Sequence, residues 1–391
     1  NKNHPLFKQI KVKNTLRFLT KCSSILRENI NEKIISITGS CGKTTLKEMV
    51  GLVLKKISRT SFSPKSFNNK YGVPLSLFNM KQNDDFGVFE IGMDKKGEID
   101  NLSKIIQPDV SVITNVNYAH AKNFENINQI ALAKSEIIQN TKQNGYVVLN
   151  ADDKFFRLHK KIALMNNIKV ISFGIKNKKS NIKFIDIKKT RKIYEINIRI
   201  KTQKKSFFIS NNFQNNIYNI LAALAVIGIY KNVIKLNRNI FLNFQTPKGR
   251  GDFSNLKINK KNINLIDESY NSNPLSLKSA ILNYDKIFSK NKKKYLLLGD
   301  MLELGKHSKK LHQSISPLIN KSKIDKVFVK GNKVIFTYKK LTKSKKGGIL
   351  YNNSQIIELI KNRLNNNDYL MIKASNATGF NRIVQDLKGQ K

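Results

Sequence analysis

The sequence predicts an α/β protein: a central domain built on a mostly parallel sheet, followed by a smaller Rossmann-like C-terminal α/β domain. Three observations predict it. Short β-branched or apolar runs alternate with stretches of helical period along most of the 391 residues, a pattern that calls for parallel strands covered by helices on both faces. A glycine-bearing loop, Gly39 to Thr44, joins the first such run to the first helical stretch. A segment carrying Pro247, Gly249 and Gly251 separates two sets of alternating elements.

In chain order, the first thirty or so residues read as a lead-in, with Leu16, Phe18, Leu19 and Ile25 on one apolar helical stripe. Ile34-Ile35-Ser36-Ile37 is a strand that ends at Gly39, and Leu46, Met49, Val50, Val53, Leu54 and Ile57 fall on one face of the following helix. Further strands are predicted at Phe86 to Ile91, Val110 to Thr114, Tyr146 to Leu149 and Lys169 to Phe173. From Lys183 to Ser210 the pattern becomes one of alternating polar and apolar residues, with Ile193, Ile196, Ile198, Ile200, then Phe207 and Ile209, which predicts an appended antiparallel sheet. A helix from Asn219 to Tyr230 closes this part. The domains are placed at residues 1–244 and 245–391, and the second has strands at Ile263 to Ile266, Tyr295 to Leu298, Lys326 to Val329 and Tyr369 to Ile372.

Bulk properties exclude several classes. There are 72 Lys plus Arg against 26 Asp plus Glu, a net charge of +46 that would attract a polyanion. The lysines are spread along the whole chain among Asn and Ile, as in Lys176-Asn177-Lys178-Lys179, with no aromatic RNA-binding motif, zinc-finger spacing or basic heptad beside them. The charge therefore reads as compositional drift onto solvated faces rather than a nucleic-acid surface. Two cysteines, Cys22 and Cys41, the second inside the glycine loop, suit a reducing cytoplasm. The longest apolar run, Ile220 to Tyr230, has about half the length of a bilayer span. A soluble cytoplasmic monomer is expected.

The loop carries the sharpest chemistry. Gly39 and Gly42 permit close backbone approach, Ser40, Cys41 and Thr45 complete the turn, Lys43 supplies a positive charge for phosphates, and the Thr44 hydroxyl suits Mg²⁺. Ile37 stands where the full Walker spacing has its first glycine, but the placement between strand and helix predicts phosphate binding, and hence a P-loop central domain. Glu90, at the C-terminal end of a strand in the same sheet, is where a metal-holding carboxylate belongs. His120 and Lys134 follow the next strand; taken alone, each reads as an ordinary structural or surface residue.

Taken together, the blocks are more specific. Gly39 to Lys47, Asn68-Asn69-Lys70-Tyr71-Gly72-Val73-Pro74-Leu75, Glu90 to Ile99, Pro108 through His120, and Ala133-Lys134-Ser135-Glu136-Ile137 resemble the Mur ligase family in order and spacing. Asp267-Glu268-Ser269-Tyr270-Asn271-Ser272-Asn273-Pro274 and Leu298-Gly299-Asp300-Met301-Leu302-Glu303-Leu304-Gly305 look like the branch of that family that adds D-alanyl-D-alanine to UDP-N-acetylmuramoyl-tripeptide. The resemblance implies an ATP- and Mg²⁺-dependent amide ligase of peptidoglycan synthesis that works through an acyl-phosphate. It implies that Thr44 and Glu90 hold one Mg²⁺, that His120 ligates a second, and that Lys134 is the lysine that becomes carbamylated. Asn219, Arg250 and Asp267 match nucleotide-contacting positions, Asp267 opening the block that closes over the ligand.

The sequence also departs from the family pattern. Only 38 residues precede Gly39 and residue 1 is not Met, so the family's N-terminal UDP-binding domain is not in the sequence, and an excerpt of a longer protein is expected. Lys373-Ala374-Ser375-Asn376 stands where the family tends to have Lys-Gly-Ser-Arg, leaving Arg382 as the nearby cation for a substrate carboxylate. Cys41 occupies a position where Asn is common, and a helix N-terminus there would activate its thiol. The alternatives are a folate-polyglutamate or diaminopimelate-adding ligase of the same superfamily, a basic P-loop ATPase stimulated by nucleic acid, and a non-catalytic nucleotide-binding partner.

Overall fold

The structure, a computed structural model, describes residues 10–190, 193–210, 216–287, 289 and 291–389. Its first unit is built on a nine-stranded sheet. The strands are β1 (Lys33–Thr38), β2 (Thr60–Phe62), β3 (Phe86–Glu90), β4 (Val110–Ile113), β5 (Tyr146–Asn150), β6 (Lys169–Gly174), β7 (Ile182–Thr190), β8 (Ile193–Ile200) and β9 (Gln203–Ser210), in the order β2-β3-β1-β4-β5-β6-β7-β8-β9. All pairings are parallel up to β7, and β7, β8 and β9 pair antiparallel. The alternating stretch is thus an extension of the main sheet. The helices are α1 (Thr15–Glu28), α2 (Lys43–Lys55), α3 (Gly72–Phe78), α4 (Glu98–Ile106), α5 (Ile127–Gln139), α6 (Phe156–Met165) and α7 (Ile217–Tyr230).

A six-stranded sheet organises the second unit. Its strands are β10 (Asp252–Ile258), β11 (Lys261–Glu268), β12 (Lys294–Leu298), β13 (Lys326–Val329), β14 (Lys346–Ile349) and β15 (Tyr369–Lys373), in the order β10-β11-β15-β12-β13-β14. Only the edge hairpin β10–β11 is antiparallel. Helices α8 (Pro274–Lys286), α9 (Ser308–Gln313), α10 (Ser316–Lys321), α11 (Ile335–Lys339), α12 (Asn353–Arg363) and α13 (Phe380–Leu387) flank it. The short strands β2 and β14 and the edge strand β10 were not anticipated from the sequence. Three residues of β2, the two glycines of β14 and the polar, half-exposed β10 carry too little apolar pattern to be read.

Both faces of each sheet are covered, so its central strands are apolar on both sides; β3 and β12 are buried at every residue. Helix α7 shows the same logic. Ile220 to Ile227 are all at most 1% exposed, an all-round apolar helix that lies in the core between α2 and strands β5 to β7. Burial of each of Ile220, Leu221, Leu224 and Ile227 contributes about 1.5–3 kcal/mol. Among the described residues no helix is long and apolar enough to cross a membrane.

The lead-in forms α1, but not by the stripe its sequence suggests. Phe18 and Ile25 are 43% and 49% exposed, and the buried residues are Ser23 and Arg27. The Arg27 guanidinium donates to the carbonyls of Ile106 (2.6 Å), Gln107 (3.0 Å) and Ile30 (3.1 Å) and pairs with Asp109 at 3.2 Å. Asp109 in turn accepts from the Ile34 amide at 3.0 Å, which ties α1 and the end of α4 to the start of β1. Removing the anion leaves a buried guanidinium without a counter-charge. Asp109→Ala is therefore expected to cost about 3–5 kcal/mol of stability by urea denaturation; a loss under about 1 kcal/mol would show that the carbonyls alone carry Arg27.

Candidate active site

The chain leaves β1 toward β2 and β3 on one side and toward β4 on the other, so the crevice beyond the C-terminal end of β1 is a topological switch point. The loop Gly39 to Thr44 lies there. Gly39 (φ 145°) and Gly42 (φ 83°) have left-handed backbones, and a Cβ on Gly39 would fall 1.9 Å from the Thr114 hydroxyl. Residues at the end of β4 hold the loop from beneath. The Thr114 hydroxyl and the Asn115 amide donate to the Cys41 carbonyl at 2.6 and 3.1 Å, the Asn115 carboxamide oxygen accepts from the Cys41 amide at 3.0 Å, and the Ser40 hydroxyl donates to the Asn117 carbonyl at 2.8 Å. Helix α2 begins immediately after with no side-chain cap, so its first amides point into the cleft as an anion site. Lys43 Nζ donates to the Gly39 carbonyl at 2.9 Å, folded over the loop.

Beside it, Glu90 ends β3 opposite Ile37 of β1 and is 1% exposed. Its Oε2 accepts from the Thr44 hydroxyl at 2.6 Å and its Oε1 from the Asn68 amide at 2.6 Å, and among the described residues no Lys, Arg or His pairs with it. A desolvated carboxylate held only by neutral donors, at the mouth of an anion site, fits a divalent cation.

Lys134 sits on α5 at 3% exposure, outside the cleft lining, with no hydrogen bond or ion pair to its amine among the described residues. Burial first, and then the nearby positive charge of Lys43, lowers its pKa to about 7. His120 follows β4 with a left-handed backbone (φ 54°) and does line the cleft, with Nδ1 2.9 Å from Asp94 Oδ1 and 2.6 Å from Glu303 Oε2. Asn219, in the first turn of α7, packs its carboxamide against Gly42 and donates to Asn216 at 2.9 Å. Arg250 lies over the Tyr270 ring at 4.3 Å.

The second unit completes the cleft, which encloses about 1380 Å³, more than a drug-sized pocket and enough for a nucleotide beside a peptide. Glu268, Lys373 and Ser375, from the C-terminal ends of β11 and β15, line it together with Asn376 and Arg382. Asn273, the N-cap of α8, accepts from the Cys41 thiol at 3.1 Å and donates to the Ser40 carbonyl at 3.4 Å, joining the units at the loop. Tyr270 donates to Ser66 at 2.7 Å nearby.

Two sequence readings are corrected here. Asp267 is 5% exposed and does not line the cleft; its carboxylate accepts from the Ser269 hydroxyl (2.6 Å) and faces Lys388 (3.3 Å), because strand alternation sends the neighbouring Glu268 to the cleft instead. Cys41 is not activated: burial pushes its thiol pKa up, outweighing the Asn273 hydrogen bond and the positive charges of Lys43, Lys373 and Lys134.

Comparison with known proteins places this geometry. The Mur ligase middle domain matches residues 37–227, and the Mur ligase, glutamate ligase domain matches residues 254–376. A UDP-N-acetylmuramoyl-tripeptide--D-alanyl-D-alanine ligase of Buchnera aphidicola subsp. Acyrthosiphon pisum is 34% identical over 96% of this chain and 81% of its own. The chain belongs to the Mur ligase family. A ligase of the same description from Bacillus subtilis is 30% identical over 97% of this Mur ligase and 80% of its own length. The crystal structure of MurF from Acinetobacter baumannii is similar with a TM-score of 0.84 at 26% identity, over 97% of this chain and 82% of that one. The MurF ligase from Thermotoga maritima, solved in complex with ADP, shares the fold with a TM-score of 0.85 at 24% identity, over 100% of this chain and 87% of that one.

In this Mur ligase, Ser66, Asp94, Glu268 and Glu303 are cleft residues that sequence reasoning did not single out. Asp94, Glu268 and Glu303 stand inside the blocks that carry the family resemblance, yet each alone reads as a solvated carboxylate; only the fold shows them converging.

The state of Lys134 sets a stability prediction. Its folded pKa of about 7 lies below the unfolded value of 10.5, so the unfolded chain binds the extra proton between those pH values. The lysine opposes folding in full below pH 7, and that opposition fades as pH rises toward 10.5. Lys134→Met is expected to stabilise the chain at pH 7 by on the order of a few kcal/mol, in buffer stripped of carbon dioxide, with the gain vanishing near pH 10. Urea denaturation across that range checks it; a variant destabilised at every pH would mean the amine has a partner that matters.

Proposed function

We propose that this Mur ligase joins D-alanyl-D-alanine to UDP-N-acetylmuramoyl-tripeptide at the expense of ATP, a step of peptidoglycan precursor synthesis. One observation carries the reading: a phosphate loop, a buried cation-free carboxylate and the second unit's Tyr270-to-Asn273 turn meet in a single cleft. The relatives that match nearly the whole chain bear that activity in their names.

The chemistry divides between the units, which we separate at residues 244 and 245. Gly39, Ser40, Cys41, Gly42, Lys43, Thr44 and Thr45 receive the ATP phosphates through the α2 amides and the Lys43 charge. Thr44 and Glu90 would hold one Mg²⁺, and His120 with the carbamate of Lys134 a second; there Mg²⁺ would supply positive charge to a phosphoryl group in transfer. Asn219 and Arg250 bracket the nucleotide. Asp267 acts at one remove, accepting from the Ser269 amide and hydroxyl in the turn that leads to Tyr270.

A carboxylate oxygen of the tripeptide attacks the γ-phosphorus, the bond to the ADP oxygen breaks, and an acyl-phosphate forms. The dipeptide amine then attacks the acyl carbon, phosphate departs, and the nitrogen loses a proton to give the amide. Lys373, Ser375, Asn376 and Arg382 line the second unit's side of the cleft, and there Arg382 would meet the dipeptide carboxylate.

Lys134 has the chemistry for carbamylation. With a pKa of about 7 a large share of its amine is neutral at physiological pH, and that lone pair can add to carbon dioxide, losing one proton to give an anionic carbamate. The product offers oxygen donors and replaces repulsion from Lys43 with attraction.

The test measures phosphate release by the full chain with ATP, Mg²⁺, UDP-N-acetylmuramoyl-tripeptide and D-alanyl-D-alanine, together and singly. Release that requires both substrates is the expected outcome. Release stimulated by RNA or DNA without them, and steeply lost with salt, would support the nucleic-acid ATPase reading instead.

A further inference from the structure

Lys47 is a lysine with no exposed surface, about one turn beyond Thr44 on α2. A buried ammonium is costly unless it is paired and hydrogen-bonded, so its partners show what it holds. It donates to the carbonyls of Ser63 and Lys65, the second at 3.0 Å, and pairs with Glu48 on its own helix. The Phe62 ring lies 5.5 Å from its Nζ, in space that Gly51 leaves open, since a Cβ on Gly51 would fall 2.4 Å from that ring.

Both carbonyls belong to the irregular segment between β2 and α3. Lys65 takes a left-handed backbone there (φ 47°), unfavourable for a residue with a side chain, and its carbonyl is one of the two that Lys47 grips. The same segment delivers two side chains to the phosphate site. The Asn68 amide donates to Glu90 Oε1 at 2.6 Å. Ser66 Oγ lies 3.4 Å from Thr44 Oγ1 and 3.5 Å from Arg250 Nη2, and it accepts from the Tyr270 hydroxyl at 2.7 Å. Lys47 itself does not line the cleft.

We propose that Lys47 is a positioning residue of the nucleotide site: its buried ammonium moulds the segment 63–69, and through Asn68 and Ser66 it sets the Glu90 carboxylate and the seat of Tyr270 and Arg250. The proposal rests on the reading of Gly39 to Thr44 with Glu90 as that site, and it adds a residue behind the cleft on which the geometry depends. A side chain that only filled the core could be exchanged for an apolar one of the same length. Lys47 cannot, because the two carbonyls would lose their charged donor.

The experiment measures ADP affinity with Mg²⁺ by calorimetry, and amide hydrogen exchange over residues 63–69, for the full chain, Lys47→Met, Asn68→Ala and the double variant. Met keeps the length of the side chain and removes the donor. Asp109→Ala is the control, because it destabilises the same unit at the start of β1, away from the loop. Circular dichroism confirms folding, and Lys47→Gln, with a neutral donor, replaces Lys47→Met should that variant not fold. The expected result is faster exchange over the segment in Lys47→Met and ADP binding weakened about tenfold or more. Asn68→Ala should weaken ADP as well, the double variant should fall well short of the product of the two losses, and Asp109→Ala should leave the affinity unchanged. Unchanged exchange, unchanged ADP affinity, or losses that multiply as independent effects would each overturn the role of Lys47. A wild-type chain that binds no ADP would instead overturn the nucleotide-site reading on which the proposal stands.

Discussion

The bond between Thr44 and Glu90 is the constraint on which the site depends. It joins the first turn of α2 to the end of β3, and it does so by burying a carboxylate against a hydroxyl and a carboxamide with no compensating cation. Such a group is costly in isolation. A divalent ion held by Glu90, as proposed above, would offset that cost. The floor beneath the loop, from Thr114 and Asn115, keeps the loop backbone in place and leaves the α2 amides free for the ligand.

Around this centre the second unit makes a series of polar contacts with the first. Asn273 reaches Cys41 and Ser40, Tyr270 reaches Ser66, and Glu303 meets both His120 and the Lys122 amide. Each falls at the end of a strand or the first turn of a helix, where loops are positioned by rigid elements. An interface of polar contacts can open and close without exposing a hydrophobic core, which suits a ligase that must admit three substrates and exclude water between two chemical steps.

Much of this was legible in the sequence, for identifiable reasons. Runs such as Ile34 to Ile37 and Tyr295 to Leu298 are strands buried on both faces, and they announce themselves by composition. The glycine loop announces itself by position between strand and helix. What could not be read depends on long-range geometry. Arg27 is a buried cation because Asp109 and three carbonyls surround it, none predictable from a helix whose visible stripe was Phe18 and Ile25. Asp267 and Glu268 are adjacent acids that strand alternation sends to opposite sides, and the motif alone does not say which faces the ligand. Cys41 stands beside a helix N-terminus, but desolvation of its thiol raises the pKa despite the Asn273 hydrogen bond.

The central claim is that Glu90 is a carboxylate kept for a cation, and thermal unfolding of Glu90→Gln with and without Mg²⁺ and ADP tests it most directly. Gln keeps the shape and can still bond Thr44 and Asn68. The account predicts that the variant unfolds at the same or a higher temperature than the wild type without ligands, and loses most of the stabilisation that Mg²⁺ with ADP confers on the wild type. A variant that unfolds at a lower temperature without ligands yet keeps the full Mg²⁺- and ADP-dependent shift would contradict it.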